Sequence, residues 1–332
     1  MDEHPPADGV APEHAPAGVA ATRELLRAAA ADGRRLLPCG RRSRLARHFP
    51  SARPDGWLSM RRLDGLLWLD PEDQTCEVEA GMTPAALDAL AAEHGLMLGV
   101  DAPGRERGTL GGVFLAPDHN LRGALWGPPR DHVLGARWLL ADGSEIRTGA
   151  RVVKSVAGYD LTRLLVGSRG RLACCVALTL RLVPRPRRPR CFRLERPVAP
   201  TAAALPEPPT WMVRPPRGDV FVATDGTDPR PRLDVAGEEV DPVAGEAALE
   251  AVRTAFAEAP LRVALTRPPA VWPEGCALDL AGRVVAADTA VAARLVADDP
   301  EAVVVPHSRP SPWLAPLARA LVPSGARFHG IS

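Results

Sequence analysis

The sequence predicts an α+β fold in two parts, and three observations carry that prediction. Apolar spacing alternates between helical and strand periods along most of the chain. A stretch from Asp101 to Asp131 loses that spacing and fills with Gly, Pro and Arg; a connection this long inside a compact region is usually functional. The basic, stiff bend Pro184–Pro189 (PRPRRP) then separates two regions that each carry their own pattern. The expected organisation is a disordered lead-in over residues 1–18, a larger domain over 19–186 and a smaller α+β domain over 187–332.

The elements follow in order. Val19–Ala31 sets Leu25, Leu26 and Ala28–Ala31 against Arg23, Glu24 and Arg27, an amphipathic helix ended by Gly33. Leu36–Pro38 reads as a short buried strand, followed by a turn over Cys39–Ser43. Trp57–Met60, Leu66–Leu69 and Thr75–Ala80 read as strands, with Pro71-Glu72-Asp73 as the turn between the last two. Thr83 caps a helix over Pro84–Glu93, with Pro at its first position and Gly95 at its end. Val133–Leu140 and Glu145–Thr148 form a hairpin through Ala141-Asp142-Gly143. Leu161–Val166 is a short helix and Leu172–Val183 a strand, joined by the turn Gly167-Ser168-Arg169-Gly170. The second part supplies strands near Cys191–Leu194, Trp211–Val213, Val220–Ala223, Arg262–Leu265, Ala277–Leu280, Arg283–Ala287 and Val303–Val305. Its helices are expected near Val243–Ala257, Thr289–Val296 and Pro312–Leu321.

Bulk properties narrow the function. The 332 residues carry a net charge of +1, which argues against a nucleic-acid or anionic-membrane footprint. No apolar run approaches the roughly 20 residues that span a bilayer. Met1–Ala20 lacks the basic and apolar regions of a secretory signal. The six cysteines form no C-x-x-C pair, and Cys174 and Cys175 sit side by side on a strand, facing opposite sides. These are expected to be buried thiols, without a metal or disulfide framework. The expected location is cytoplasmic, peripheral to the inner membrane through a partner. His307 and His329 have no partner at metal-ligand spacing. Nucleophile-elbow, zinc-protease, P-loop and dinucleotide-fingerprint motifs are all missing, so no catalytic residue is assigned.

Three segments can carry chemistry. The turn Cys39-Gly40-Arg41-Arg42-Ser43-Arg44 offers backbone N–H groups and positive charge to an anion; its alternative is a solvated basic turn. Pro103–Gly112 (PGRERGTLGG) removes Cβ atoms at Gly108, Gly111 and Gly112, and Thr109 can cap a helix behind them; its alternative is a mobile loop. Lys154–Asp160 leads into Gly167–Leu172, two glycine-bearing turns around a short helix that Asp160 can cap. Of the 41 basic residues only Lys154 is Lys, and Tyr159 is the single Tyr. A position that keeps Lys in so Arg-rich a chain points to a compact charge with three rotatable donors.

Together, and in this order, these segments resemble the FAD-binding oxidases of the vanillyl-alcohol-oxidase/PCMH type, and within them the small FAD-binding subunit of bacterial glycolate oxidase. The resemblance rests on Thr75–Leu98, Gly108–Gly112 (GTLGG), Arg130–Gly149 and above all Val152–Leu172 (VVKSVAGYDLTRLLVGSRGRL), with a worn likeness at Val322–Phe328. It implies a two-lobed FAD-binding domain followed by a smaller cap domain. It also implies non-covalent FAD, with the diphosphate on Gly40, Arg41, Arg42 and Ser43 and on Thr109, Leu110, Gly111 and Gly112. The flavin ring would meet Gly158, Tyr159, Gly170, Arg171 and Leu172, and Pro103, Arg130, Asp131, Lys154 and Asp160 complete the cofactor-binding set. Implied partners are a larger flavin subunit and an iron–sulfur subunit, and the implied substrate is a small 2-hydroxyacid. The chain departs from the pattern where a run of glycines would precede Ser43: only Gly40 remains, followed by Arg41 and Arg42. At the ring-facing turn Arg169, Arg171 and Ala173 replace an acidic residue, Thr and Gly. A second reading therefore stands beside the first: an assembly subunit that keeps the fold without flavin or catalysis.

Overall fold

The first helix buries one stripe and leaves the other to solvent, and a small parallel sheet forms around it. The elements are β1 (Glu13–His14), α1 (Val19–Ala31), β2 (Leu36–Cys39) and β3 (Gly56–Ser59), with α1 burying Thr22, Leu26 and Ala29. The computed structural model describes residues 11–43, 53–149, 161–194, 209–217, 219–224, 237–266, 273–280 and 283–306. The three strands run parallel in the order β1-β3-β2. This corrects the expected lead-in over residues 1–18. Glu13 and His14 pair with Trp57 and Leu58, so order begins before α1, because an open parallel edge on β3 accepts even a Pro-flanked strand.

The next elements are β4 (Leu66–Asp70), β5 (Thr75–Glu79), α2 (Pro84–Ala92), β6 (Leu96–Met97), α3 (Leu110–Leu115), α4 (Gly123–Trp126), β7 (Val133–Leu139), β8 (Glu145–Gly149), α5 (Leu161–Leu165), β9 (Cys174–Arg181) and β10 (Val183–Pro184). An antiparallel sheet takes the order β4-β5-β9-β7-β8, with β9 central and almost wholly buried. Cys174 packs toward α1 with Leu26 and Leu36, while Cys175 joins the opposite core with Phe114 and Trp138. The adjacent cysteines therefore face opposite sides of the strand, as strand alternation requires. Thr83 caps α2 through its side-chain oxygen, and Pro84 occupies the first helical position.

The stretch Asp101–Asp131 is not one loop. It holds short 3-10 turns at Arg105–Arg107 and Pro129–His132 and the helices α3 and α4. Leu110, Val113, Phe114 and Leu115 bury one side of α3. Two adjacent glycines lower intrinsic helix propensity, and burial overrides them.

Between Pro184 and Arg190 the chain passes to a separate antiparallel sheet. Its elements are β11 (Arg190–Leu194), β12 (Trp211–Arg214), β13 (Val220–Thr224), β14 (Gly237–Val240), α6 (Pro242–Glu258), β15 (Leu261–Ala264), β16 (Leu278–Asp279), β17 (Val284–Ala287), α7 (Thr289–Asp298) and β18 (Val303–Pro306). Eight strands follow the order β14-β11-β13-β12-β16-β17-β15-β18. Trp211, Val213 and Ala223 face α6, whereas Met212 and Val222 share the opposite face with α7. The charged strand β14 escapes prediction. It is an edge strand held by cross-strand pairs, Arg190 to Glu239 and Arg193 to Glu238. The expected helix Pro312–Leu321, the segment Val322–Phe328, His307 and His329 lie outside the described residues.

The two parts are joined by buried polar contacts. Leu121 inserts into the apolar layer beneath α6. Arg253 on α6 binds Asp101, Arg262 on β15 binds Asp118, and His119 reaches Asp279 at 2.5 Å while stacking on Phe256. Each of these carboxylates is at least nine-tenths buried, and burying such charges is tolerable only with paired, hydrogen-bonded geometry.

Candidate functional site

The strongest candidate site is an open cleft between the small parallel sheet and α3. Its walls come from segments far apart in sequence. The end of β2 and the following turn give Pro38, Cys39, Gly40, Arg41, Arg42 and Ser43. The loop before α3 and the helix itself give Gly108, Thr109, Gly111, Gly112 and Leu115. The turn after α5 gives Arg169 and Gly170, and Met60, Ala80, Ala116 and Cys175 complete the wall.

Glycines set the close approaches. A Cβ on Gly40 would overlap the Thr109 side chain, so the turn and the start of α3 touch only because position 40 has none. Thr109 caps α3, its Oγ1 accepting from the Gly112 N–H at 3.3 Å. Gly111 serves packing instead: its N–H donates to the Ala80 carbonyl at 2.8 Å, and a Cβ there would meet that oxygen at 3.0 Å. Gly112 borders the cleft with only Thr109 Oγ1 within reach of an added Cβ.

The turn suits an anion. Arg42 adopts a left-handed φ of 58°, and Arg169 does the same across the cleft. Among the described residues, no acceptor takes the backbone N–H of Arg41, Arg42 or Ser43. N–H groups left open around a left-handed residue form a concave anion receptor. The Arg42 guanidinium does not point there; it pairs with Glu13 at 2.7 Å and lies over Trp57. Burial pushes the Cys39 thiol up to about 12, so this sulfur is neutral at physiological pH. Burial also lowers the Arg169 and Arg171 guanidiniums, and Arg169 further lowers Arg171 by like charge.

The structure thus brings together Gly40, Arg41, Arg42, Ser43, Thr109, Gly111, Gly112 and Gly170 from the sequence-derived set. Pro103, Leu110, Arg130, Asp131, Arg171 and Leu172 do not line this cleft. Leu110 and Leu172 are core residues, Pro103 is buried, and Asp131 lies near Arg130 and Arg163 on the 3-10 turn before β7. Lys154, Gly158, Tyr159 and Asp160 lie outside the described residues. Sequence reasoning missed Met60, Ala80 and Cys175, which reach the cleft only through strand pairing. Among the described residues, no cluster of three metal-ligating side chains exists, and all six cysteines are free.

Residues 14–149 match the family described as FAD binding domain. That segment is similar to FAD binding domains. FAD is therefore the cofactor assigned to this chain, and the residues present fit it: an anion-receiving turn, a Cβ-free contact and a capped helix start converge on one cleft. The FAD binding domain match begins at His14, on β1, and ends before Arg169 and Gly170, which the fold returns to the same cleft. The chain is 36% identical over 129 residues to the glycolate oxidase subunit GlcD of Bacillus subtilis, covering 39% of this chain and 27% of that protein. It is 31% identical over 159 residues to the glycolate oxidase subunit GlcE of Escherichia coli, covering 48% and 45%. To the D-lactate dehydrogenase of Archaeoglobus fulgidus it is 37% identical over 121 residues, covering 36% and 27%. The matched region thus spans less than half the length of each of these relatives. No helix among the described residues is long and apolar enough to cross a membrane.

Proposed function

We propose that the chain is an FAD-dependent oxidoreductase acting on small 2-hydroxyacids, as one flavin-bearing subunit of a glycolate-oxidase-like complex. The observation that carries this reading is the convergence of the Gly40–Ser43 turn, the Thr109-capped start of α3 and the Arg169–Gly170 turn on one cleft, most of whose lining lies in the segment that matches the FAD binding domain. The likeness to subunits named as glycolate oxidase and to a D-lactate dehydrogenase supports the substrate class and the multisubunit setting. The partners in this reading are a larger flavin subunit and an iron–sulfur subunit, the chain being peripheral to the inner membrane through them.

The N–H groups of Arg41, Arg42 and Ser43 hold the diphosphate, and Gly112 lets it lie against the backbone, while Gly40 lets the turn close on Thr109. Arg41 and Arg169 border the cleft and compensate the diphosphate charge. Lys154, Gly158, Tyr159 and Asp160 are proposed ring-side contacts on the strength of the sequence pattern alone. Bound FAD supplies acceptance of two electrons from the hydroxyacid; the protein supplies orientation and electrostatics.

The test is direct. Purified protein should be yellow, release FAD on denaturation, and bleach anaerobically with a 2-hydroxyacid once its partners are present. Colourless protein that takes up no added FAD would overturn the reading. A second reading, an assembly subunit without flavin, is favoured by one feature: Arg42 and Arg169 occupy left-handed positions on the cleft wall, where glycine is the unstrained choice. Partner activity that needs this chain but survives Gly40→Arg would select it.

A further inference from the structure

The turn that borders the cleft carries an unusual residue at its tightest point. Arg42 has a φ of 58°, a conformation that l-residues other than Gly, Asn and Asp rarely hold. Left alone, an arginine there would relax toward negative φ and rotate the neighbouring N–H groups away from the cleft. Its guanidinium would also be free to swing over the same N–H groups.

Something outside the turn prevents both. Glu13, on the edge strand β1, takes the Arg42 guanidinium at 2.7 Å through one carboxylate oxygen. Its other oxygen lies 3.4 Å from Arg61, just beyond β3. The Arg42 guanidinium also covers the Trp57 ring, 5.7 Å from its centroid. Trp57 is the residue that pairs with Glu13 across the parallel ladder. One strand pairing therefore places both the carboxylate and the ring against the same arginine. The Glu13 side chain is 22% exposed and that of Arg42 41%, so the pair adds little stability by itself. What it fixes is direction: the cation is held on the β1 side, away from the backbone N–H groups of Arg41, Arg42 and Ser43, which no acceptor among the described residues takes.

We infer that Glu13 is a positioning residue for diphosphate binding, clasping Arg42 so that a turn lacking its glycines still presents an anion receptor. This rests on the FAD reading above and deepens it. It makes β1 part of the cofactor site without touching the cofactor.

The experiment uses the full chain freed of flavin, in four forms: wild type, Glu13→Gln, Arg42→Gly and the double variant. Each is titrated with FAD by quenching of flavin fluorescence. Hydrogen exchange of the peptide spanning Cys39–Ser43 is followed without ligand. Glu13→Gln should weaken FAD about tenfold and speed exchange in that peptide, with the thermal midpoint within about 2 °C of wild type. Arg42→Gly should bind about threefold tighter than wild type, because glycine takes the left-handed turn without a clasp. Glu13→Gln should then cost nothing more on the Arg42→Gly background, a coupling that a general loss of stability would not produce. An affinity for Glu13→Gln within twofold of wild type, unchanged exchange, or an equal loss in both backgrounds overturns the clasp. Wild-type protein that binds no FAD overturns the function proposed above instead, and exchange in the ligand-free protein still reads the clasp.

Discussion

Asp101 and Arg253, 152 residues apart, meet through two parallel hydrogen bonds of 2.8 and 2.7 Å. The carboxylate is fully buried, and Arg122 and Arg105 stand 3.4 and 3.8 Å from it. Three guanidiniums therefore share one anion at the junction between the FAD binding domain and the eight-stranded sheet. Removing the anion would leave three guanidiniums facing one another, with Asp88 beside Arg105 and Glu250 beside Arg253 as remaining acidic partners. That asymmetry, more than the strength of any one pair, fixes how the two parts are seated.

Asp101→Asn should accordingly destabilise the protein by about 3–5 kcal/mol, the usual cost of breaking a buried charged pair from one side. Urea unfolding of the variant and the wild type measures this. A change under about 1 kcal/mol would mean that Asp88 and Glu250 hold Arg105 and Arg253 well enough without Asp101.

The same carboxylate predicts a pH dependence. Burial raises the Asp101 pKa, but the Arg253 hydrogen bonds and the charges of Arg122, Arg253 and Arg105 outweigh it and hold the group at about 2, against 3.8 unperturbed. The folded value is the lower one. The stabilisation is therefore complete above pH 4 and is lost as pH falls from about 4 toward 2. It amounts to roughly 2 kcal/mol. Stability measured across that window should fall less steeply in Asp101→Asn than in wild type; parallel slopes would contradict the assignment.

Gly112→Ala should separate stability from cofactor affinity. An added Cβ meets only Thr109 Oγ1, at 3.5 Å, and position 112 is helical, where Ala is favoured over Gly by about 1 kcal/mol. The flavin-free protein should thus melt at the same temperature or higher. The methyl group nevertheless enters the cleft wall and should weaken FAD about tenfold. Gly40→Ala should lower both, since its Cβ collides with the residue that caps α3. Equal effects of the two substitutions on melting would remove the distinction.

How much of this could be read from the sequence depended on how local the cause was. The helix Val19–Ala31, the Thr83 cap and the turn at Gly167–Gly170 were legible because periodicity, a hydroxyl and glycines act within a few residues. The strand Gly237–Val240 was not, because its residues are exposed and its reason to be a strand is a row of arginines 45 to 49 residues away. Glu13 was read as part of a disordered lead-in for the same reason: its partner strand begins at Gly56. In the site, the glycine-bearing turns were visible, and the structure adds which glycine serves which neighbour. Met60, Ala80 and Cys175 carried no local signal, since only strand pairing brings them to the cleft.

Arg169 offers the sharpest remaining test of what a left-handed arginine costs the turn. Its φ of 58° places a long side chain in the left-handed region, and its charge sits close enough to Arg171 to lower that group further. Left-handed backbone costs an ordinary residue about 1–2 kcal/mol, while glycine gives back about 0.5–1 kcal/mol in unfolded-chain entropy. Arg169→Gly should therefore stabilise the flavin-free protein by up to about 1 kcal/mol. FAD carries a negative diphosphate, so loss of a cleft-lining cation should weaken its binding at low salt and matter less at high salt, where screening already removes that contribution. Chemical unfolding and FAD titrations at two ionic strengths measure both effects. A variant that is less stable than wild type would show that the arginine side chain makes contacts worth more than the backbone strain it imposes.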